Sequence, residues 1–99
     1  MFSKVLLATD LSLASDRVVE YMKTLRAVGC REVVLTYAIY VKHLVGLSEA
    51  LKDEAKPKLD TQKAALEAEG FEVSVETPVG VPGVEITRMA LDMGCKAII

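Results

Sequence analysis

Two residues that could contact a ligand follow the first apolar segment of the chain. Residues 4–8 are almost entirely apolar, and Thr9 and Asp10 come directly after them. A short apolar run of this kind predicts a parallel strand that is buried on both faces. Ligands of open α/β sheets bind beyond the carboxyl ends of such strands, so Thr9 and Asp10 are candidates for a binding site. Asp10 has an equally simple second interpretation, as a carboxylate that caps the following helix.

Catalytic and metal-binding patterns are not found in the sequence. The one histidine, His43, has no cysteine or carboxylate at a spacing that would make a catalytic triad or a zinc site. A phosphate-binding Gly-x4-Gly-Lys-Ser/Thr loop and a Gly-x-Ser-x-Gly nucleophile turn are also missing. We therefore expect a binding module and not an enzyme.

Strand and helix patterns alternate along the whole chain. Apolar segments at residues 4–8, 32–39 and 96–99 predict strands, and residues 71–76 alternate apolar and polar side chains as an edge strand does. Helical patterns separate these segments, and the second helix continues in phase across Pro57 as one kinked helix or two helices almost in line. A βαβαβαβ order predicts an α/β fold, a three-layer, doubly wound, Rossmann-like parallel sheet of order 3-2-1-4.

The predicted topology also leads to an expectation about assembly. We expect the first helix on one face of the sheet and the second and third helices on the other. That arrangement would leave Val5, Leu7 and Ile98 or Ile99 partly bare, beside the open edge of the last strand. An apolar patch at an open edge favours association, so we expect a homo-oligomer.

Composition limits the classes of partner. The chain has 99 residues, which is enough for one domain, residues 1–99. Its net charge of −2 gives no electrostatic attraction to nucleic acid, and its apolar runs are too short for a membrane span or a signal peptide. Two cysteines do not make a disulfide framework, so we expect two free thiols in the reducing cytoplasm.

Four segments resemble the universal stress protein family in order and spacing. Residues 5–12 are similar to its first strand with the terminal aspartate, and residues 33–39 to its second strand. Residues 79–86 resemble its Gly-x-Pro loop and following helix, and residues 96–99 the start of its fourth strand. The resemblance spans the whole chain and implies an adenine nucleotide alpha hydrolase-like fold.

The resemblance also implies a ligand, because many members of that family bind ATP or AMP. Thr9 and Asp10 would then contact the adenosine, and Ala38, at the end of the second strand, would lie beside the adenine. Gly80 and Val81 would form the edge of the same pocket. From the residues alone, the loop that contains Gly80 is no more than a turn.

The sequence departs from the family at its end. The family's phosphate-binding signature, Gly-x2-Gly-x9-Gly-Ser/Thr, follows the fourth strand, and the 99 residues stop at Ile99, before it. We therefore expect a domain without its C-terminal part, in which ATP or AMP binding is weakened or lost. The alternative is an interaction module of the same fold that binds no nucleotide.

Overall fold

The structure, a computed structural model, describes residues 3–9, 11, 15–40 and 47–99. Asp10 and His43 lie outside the described residues. Within them, strands and helices alternate in this order: β1 (Lys4–Ala8), α1 (Ser15–Ala27), β2 (Glu32–Thr36), α2 (Leu47–Ala68), β3 (Glu72–Glu76), α3 (Pro82–Asp92) and β4 (Ala97–Ile98).

The four strands form one parallel sheet of order β3-β2-β1-β4, which confirms the predicted topology. Lys4 of β1 is in register with Glu32 of β2, which is in register with Glu72 of β3. On the other side of β1, Val5 pairs with Ala97 of β4. β3 is therefore an edge strand, as its alternating sequence predicted. β2 and β1 are the two central strands.

The central strands are buried because both of their faces are covered. Three consecutive residues of β1 and of β2 are almost inaccessible to solvent: Val5, Leu6 and Leu7, and Val33, Val34 and Leu35. Since successive side chains of a strand point to opposite faces, a continuous apolar run is what a strand between two helix layers requires.

The prediction for the helix layers is wrong. Met22 of α1 and Leu59 of α2 belong to one core cluster with Val5 and Leu7, so α1 and α2 pack on the same face. The chain moves in the same direction along the sheet from β1 to β2 and from β2 to β3. Two right-handed crossovers in one direction must lie on one face. The chain reverses direction before β4, and α3 therefore packs on the opposite face.

The predicted bare patch is corrected in the same way. Val5 and Leu7 are buried under α1 and α2, and Ile99 is half-buried against the same core. Ile98, on the α3 face, is 48% exposed. Of the residues in the predicted patch, only Ile98 is exposed, and it lies on the α3 side of the sheet.

Two further elements refine the sequence expectations. α2 is one continuous helix through Pro57, and the Thr61 hydroxyl donates to the Pro57 carbonyl at 3.0 Å. On β3, Val73 and Val75 pack towards the core and Glu72 is exposed, as predicted. Glu76 was also expected to face solvent, but it is half-buried.

No helix within the described residues is long and apolar enough to cross a membrane.

Candidate functional site

The turn after β1 is held by Thr9. The Thr9 N–H donates to the Thr36 carbonyl at 2.9 Å, so β1 and β2 stay joined one residue beyond the ladder. The Thr9 hydroxyl oxygen accepts from the Leu11 N–H at 3.0 Å, a local turn of the kind that threonine favours. Within the described residues its own proton has no acceptor, so the hydroxyl can donate to another group. Thr9 therefore fixes the turn and still has a donor to offer.

The backbone of Leu11 is strained in this turn. Its φ of 63° lies in the left-handed region, which costs a leucine about 1–2 kcal/mol. The side chain is half-buried against the core cluster, which offsets part of that cost. Strain of this kind often accompanies functional turns.

The ends of β2 and β3 form a second turn of interest. The Tyr37 N–H donates to the Glu76 carbonyl at 3.0 Å, but Pro78 has no N–H with which to continue the ladder. Pairing resumes at Ile39, whose N–H donates to the Pro78 carbonyl at 2.8 Å and whose carbonyl accepts from the Gly80 N–H at 2.9 Å. β2 was predicted to run to Ile39, and the missing donor of Pro78 explains why the regular strand stops at Thr36.

Val81 stands between this turn and α3. It takes the N-cap position with φ −74° and ψ 118°, and Pro82 follows at the start of the helix. Valine has no side-chain acceptor for the first helical N–H groups, and its own carbonyl accepts from the Glu85 N–H at 2.9 Å. The Val81 side chain is exposed, so it forms an apolar rim at the carboxyl end of the sheet.

Four of the five predicted site residues thus lie at one end of the sheet. Ala38 is half-buried next to Ile39, which bonds directly to Gly80, and Val81 follows Gly80. Thr9 is joined to the same edge through Thr36, two residues before Ala38. The fifth predicted residue, Asp10, lies outside the described residues.

A cavity of about 160 Å³ lies beside this edge, towards α2. It is lined by Leu11, Tyr37, Leu51, Glu54, Ala55 and Lys58. None of the four described site residues lines it, and it is smaller than the roughly 300 Å³ at which small-molecule pockets begin. We do not assign the predicted ligand to it.

Two thiols with raised pKa values, Cys30 and Cys95, lie at the amino end of the sheet, opposite the candidate site. Burial raises the pKa of Cys30, which precedes β2, and of Cys95, which precedes β4. Both are free thiols, Cys30 buried and Cys95 half-buried. The described residues contain no group of three His, Cys, Asp or Glu side chains placed to hold a metal ion. The two cysteines are structural residues of the amino end.

One residue of the site was missed by the sequence analysis. The side chain of Glu85, in the first turn of α3, lies directly against Gly80 and forms an ion pair with Arg88. The three-residue spacing of Glu85 and Arg88 is the only signal in the sequence, and it predicts no more than a helix surface pair.

The fold and this edge define a doubly wound α/β domain with a candidate ligand site at the carboxyl ends of β1 and β2, next to the switch point between β1 and β4. The model of the universal stress protein family matches residues 1–99. The chain therefore belongs to the universal stress protein family.

Individual relatives are consistent with that assignment. The universal stress protein MJ0577 of Methanocaldococcus jannaschii is 28% identical over 122 residues, which cover 100% of this chain and 75% of the relative. The solved structure of MJ0577 superposes with a TM-score of 0.85 at 31% identity, over 100% of this chain and 74% of the other. A universal stress protein from Archaeoglobus fulgidus gives a TM-score of 0.80 at 27% identity, over 90% and 35% of the two chains.

A more distant structure shares the fold. It is a universal stress protein in complex with cAMP, with a TM-score of 0.73 at 16% identity, over 98% of this chain and 70% of the other.

Proposed function

We propose that this chain is a non-catalytic stress-response module that binds the nucleoside part of an adenine nucleotide, ATP or AMP. The binding residues are Thr9, Asp10, Ala38, Gly80 and Val81. The observation that carries the proposal is the convergence of Thr9, Ala38, Gly80 and Val81 at the carboxyl end of the sheet, through the Thr9–Thr36 and Gly80–Ile39 hydrogen bonds.

Each residue suits a different part of adenosine. Thr9 retains a hydroxyl donor, and a carboxylate such as that of Asp10 accepts hydrogen bonds from ribose hydroxyls. Ala38 is half-buried, and its short side chain would not block a flat ring beside it. Gly80 allows close approach of the backbone, and the exposed Val81 offers apolar contact at the rim.

The relative in complex with cAMP supports an adenine ligand, since it shares this fold. The 99 residues contain no Gly-x2-Gly-x9-Gly-Ser/Thr segment. Phosphate recognition needs several converging N–H groups, and the residues named above suit the nucleoside, so the proposal concerns that part of the ligand.

Calorimetric titration of the 99-residue chain with adenosine and with ATP tests the proposal. We expect adenosine to bind and ATP to bind no more tightly. Ala38→Leu should abolish the binding, because the larger side chain fills the adenine position. Ala64→Leu, on the exposed surface of α2, is the matched control and should leave it unchanged. Absence of adenosine binding would overturn the proposal, and a clear preference for ATP would place the ligand elsewhere.

The remaining aspects of the proposal rest on charge and cysteine state. The net charge of −2 disfavours a nucleic-acid partner. Two free cysteines fit a reducing compartment, and we place the protein in the cytoplasm without a membrane partner. The alternative, an interaction module that binds no nucleotide, would show itself as an absence of binding to both ligands.

Self-association is a second candidate property, favoured by β4. Within the described residues β4 pairs only with β1, and its Ile98 is 48% exposed. We infer that two copies of the 99-residue chain associate through the unpaired side of β4 and its apolar side chain. Light scattering at high micromolar concentration should show a homo-oligomer that Ile98→Glu dissociates. Val28→Glu is the control, because it places the same charge at another exposed apolar residue, 67% exposed and outside β4. A wild-type monomer would contradict the inference.

A further inference from the structure

The side chain of Glu85 covers Gly80 at the rim of the proposed site. A Cβ atom placed on Gly80 would lie 2.7 Å from Glu85 Cγ, 2.8 Å from its Oε1 and 3.0 Å from its Cδ. Real Cβ atoms do not come that close to other heavy atoms, so the contact requires glycine at this position. Gly80 also has a φ of 155°. The carboxylate arm of Glu85 therefore lies where any other residue at position 80 would place its own side chain.

Glu85 is held in this place from the helix side. Its side chain is only 14% exposed and forms an ion pair with Arg88, whose side chain is 60% exposed. Its N–H donates to the Val81 carbonyl, and a carboxylate in the first turn is favoured by the helix dipole. On the same helix, the neighbouring Val84 is exposed. The low exposure of the Glu85 side chain agrees with its position against Gly80 and beside Arg88.

Gly80 in turn connects this contact to the ligand side of the site. Its N–H donates to the Ile39 carbonyl at 2.9 Å, and Ile39 is the neighbour of Ala38. Displacement of Gly80 would therefore move both Val81 and the backbone beside Ala38.

We propose that Glu85 is a positioning residue, which packs on Gly80 and thereby fixes the spacing between Val81 and Ala38 that adenosine requires. This inference rests on the proposed function. Glu85 acts on the ligand through Gly80 and Val81 without touching it, and Arg88 keeps its carboxylate in place.

Three variants separate this role from a general effect on helix stability. Glu85→Ala removes the contact, and Glu85→Gln keeps its shape and its ability to accept from Arg88. Glu49→Ala is the matched control, because Glu49 is also a first-turn acid with a cation three residues on, Lys52, at 3.8 Å. Loss of a helix-dipole interaction is thus common to both alanine variants, and only one of them uncovers Gly80.

Two readouts are measured on each variant. Amide hydrogen exchange of Gly80 reports the positioning without any ligand, and calorimetry reports the affinity for adenosine. We expect Glu85→Ala to speed Gly80 exchange and to weaken adenosine binding, each by about three- to tenfold, because the Gly80–Ile39 hydrogen bond would be less well held. Glu85→Gln should restore most of both quantities, and Glu49→Ala should change neither.

A double variant makes the contact itself testable. Gly80→Ala should weaken adenosine binding strongly in the wild type and less in Glu85→Ala, where the clash is removed and only the backbone strain at a φ of 155° remains. Unchanged exchange and affinity in Glu85→Ala would overturn the inference, as would equal effects of Glu49→Ala. Faster Gly80 exchange in Glu85→Ala, together with no adenosine binding to the wild type, would overturn the proposed function and with it the role in binding.

Discussion

A charged side chain from a helix covers a glycine at each end of the sheet, and the two contacts differ. At the amino end, the Arg26 Nε of α1 donates to the Gly70 carbonyl at 3.3 Å, and a Cβ on Gly70 would lie 3.1 Å from that nitrogen. The group that would have to move is the far end of a long, flexible side chain. At the carboxyl end, Gly80 is covered by Cγ and Cδ of Glu85 as well as by its Oε1, and the two carbons have less freedom to move than the end of an arginine.

The surroundings of the two glycines differ in the same sense. All three helices end with the same hydrogen bond at the amino end, in which the residue after a glycine donates to a carbonyl five residues earlier: Cys30 to Leu25, Phe71 to Leu66 and Cys95 to Ala90. Cys30 and Phe71 are buried there. The carboxyl end has the strained Leu11 and the exposed Val81. The amino end carries the buried helix ends, and the carboxyl end carries accessible groups at the proposed ligand site.

The largest expected change in stability is at Phe71, at the amino end of the sheet. Phe71→Ala should lower the free energy of unfolding by about 3–5 kcal/mol, because it empties a buried aromatic position in the core. Urea denaturation measures the loss. Tyr40→Ala removes an exposed ring at the carboxyl end and should change stability by no more than about 0.5 kcal/mol. Similar losses in the two variants would show that the ends do not divide stability in this way.

A substitution at Gly70 should lower stability without changing adenosine affinity, in contrast to one at Gly80. Gly70 has a φ of 95°, so Gly70→Ala should destabilise the fold by about 1–2 kcal/mol through backbone strain. The affinity for adenosine should stay at its wild-type value, because Arg26 can move aside and no site residue is near. Thermal unfolding and calorimetry measure the two quantities. A weakened affinity in this variant would contradict the assignment of the site to the carboxyl end.

Thr9 tests the carboxyl end with a smaller expected change in stability. Thr9→Val removes the acceptor of the Leu11 N–H with little change of shape, and should cost about 1 kcal/mol. It should also weaken adenosine binding, since the free hydroxyl donor is lost. Thr9→Ser keeps the hydroxyl and should behave like the wild type in both measurements. If the serine variant binds as weakly as the valine variant, the hydroxyl is not the group that matters.

The smallest expected effect is a pH dependence that belongs to the amino end. Burial raises the pKa of Cys30 and Cys95 above the ordinary value of 9.0. The folded state therefore holds these protons more tightly than the unfolded state. Their contribution to stability is full below pH 9.0 and is lost as the pH rises through the folded-state pKa values.

Urea denaturation at a series of pH values above neutrality checks this expectation. Wild-type stability should fall more steeply on the alkaline side than that of the Cys30→Ala/Cys95→Ala variant. The same alkaline slope in both proteins would mean that other groups cause it.

Local patterns predicted most of the fold. The alternation in β3 marked it as the edge strand and so fixed the sheet order, and the apolar runs of β1 and β2 marked them as central. The predicted helix faces were wrong, although the correctly predicted strand order already determines them. They follow from the direction in which successive crossovers move along the sheet, a property of the whole topology.

The site could be predicted in part for a similar reason. Thr9, Ala38, Gly80 and Val81 follow strands whose carboxyl ends meet, and strand order alone brings them to one edge. Glu85 could not be predicted, because its role depends on a side chain folding back over Gly80, five residues earlier. Pro78 explains the shortened β2 only once its partner Tyr37 is known from the register.

Amide chemical shifts during an adenosine titration test most directly whether the ligand binds at the carboxyl end. In a two-dimensional nitrogen–proton spectrum of the labelled chain, the amides of Thr9, Ala38, Gly80 and Val81 should shift together with increasing adenosine. The amides of Phe71 and Cys95, at the opposite end of the sheet, should stay in place. Shifts centred on the amino end, or no shifts at saturating adenosine, would contradict the proposed site.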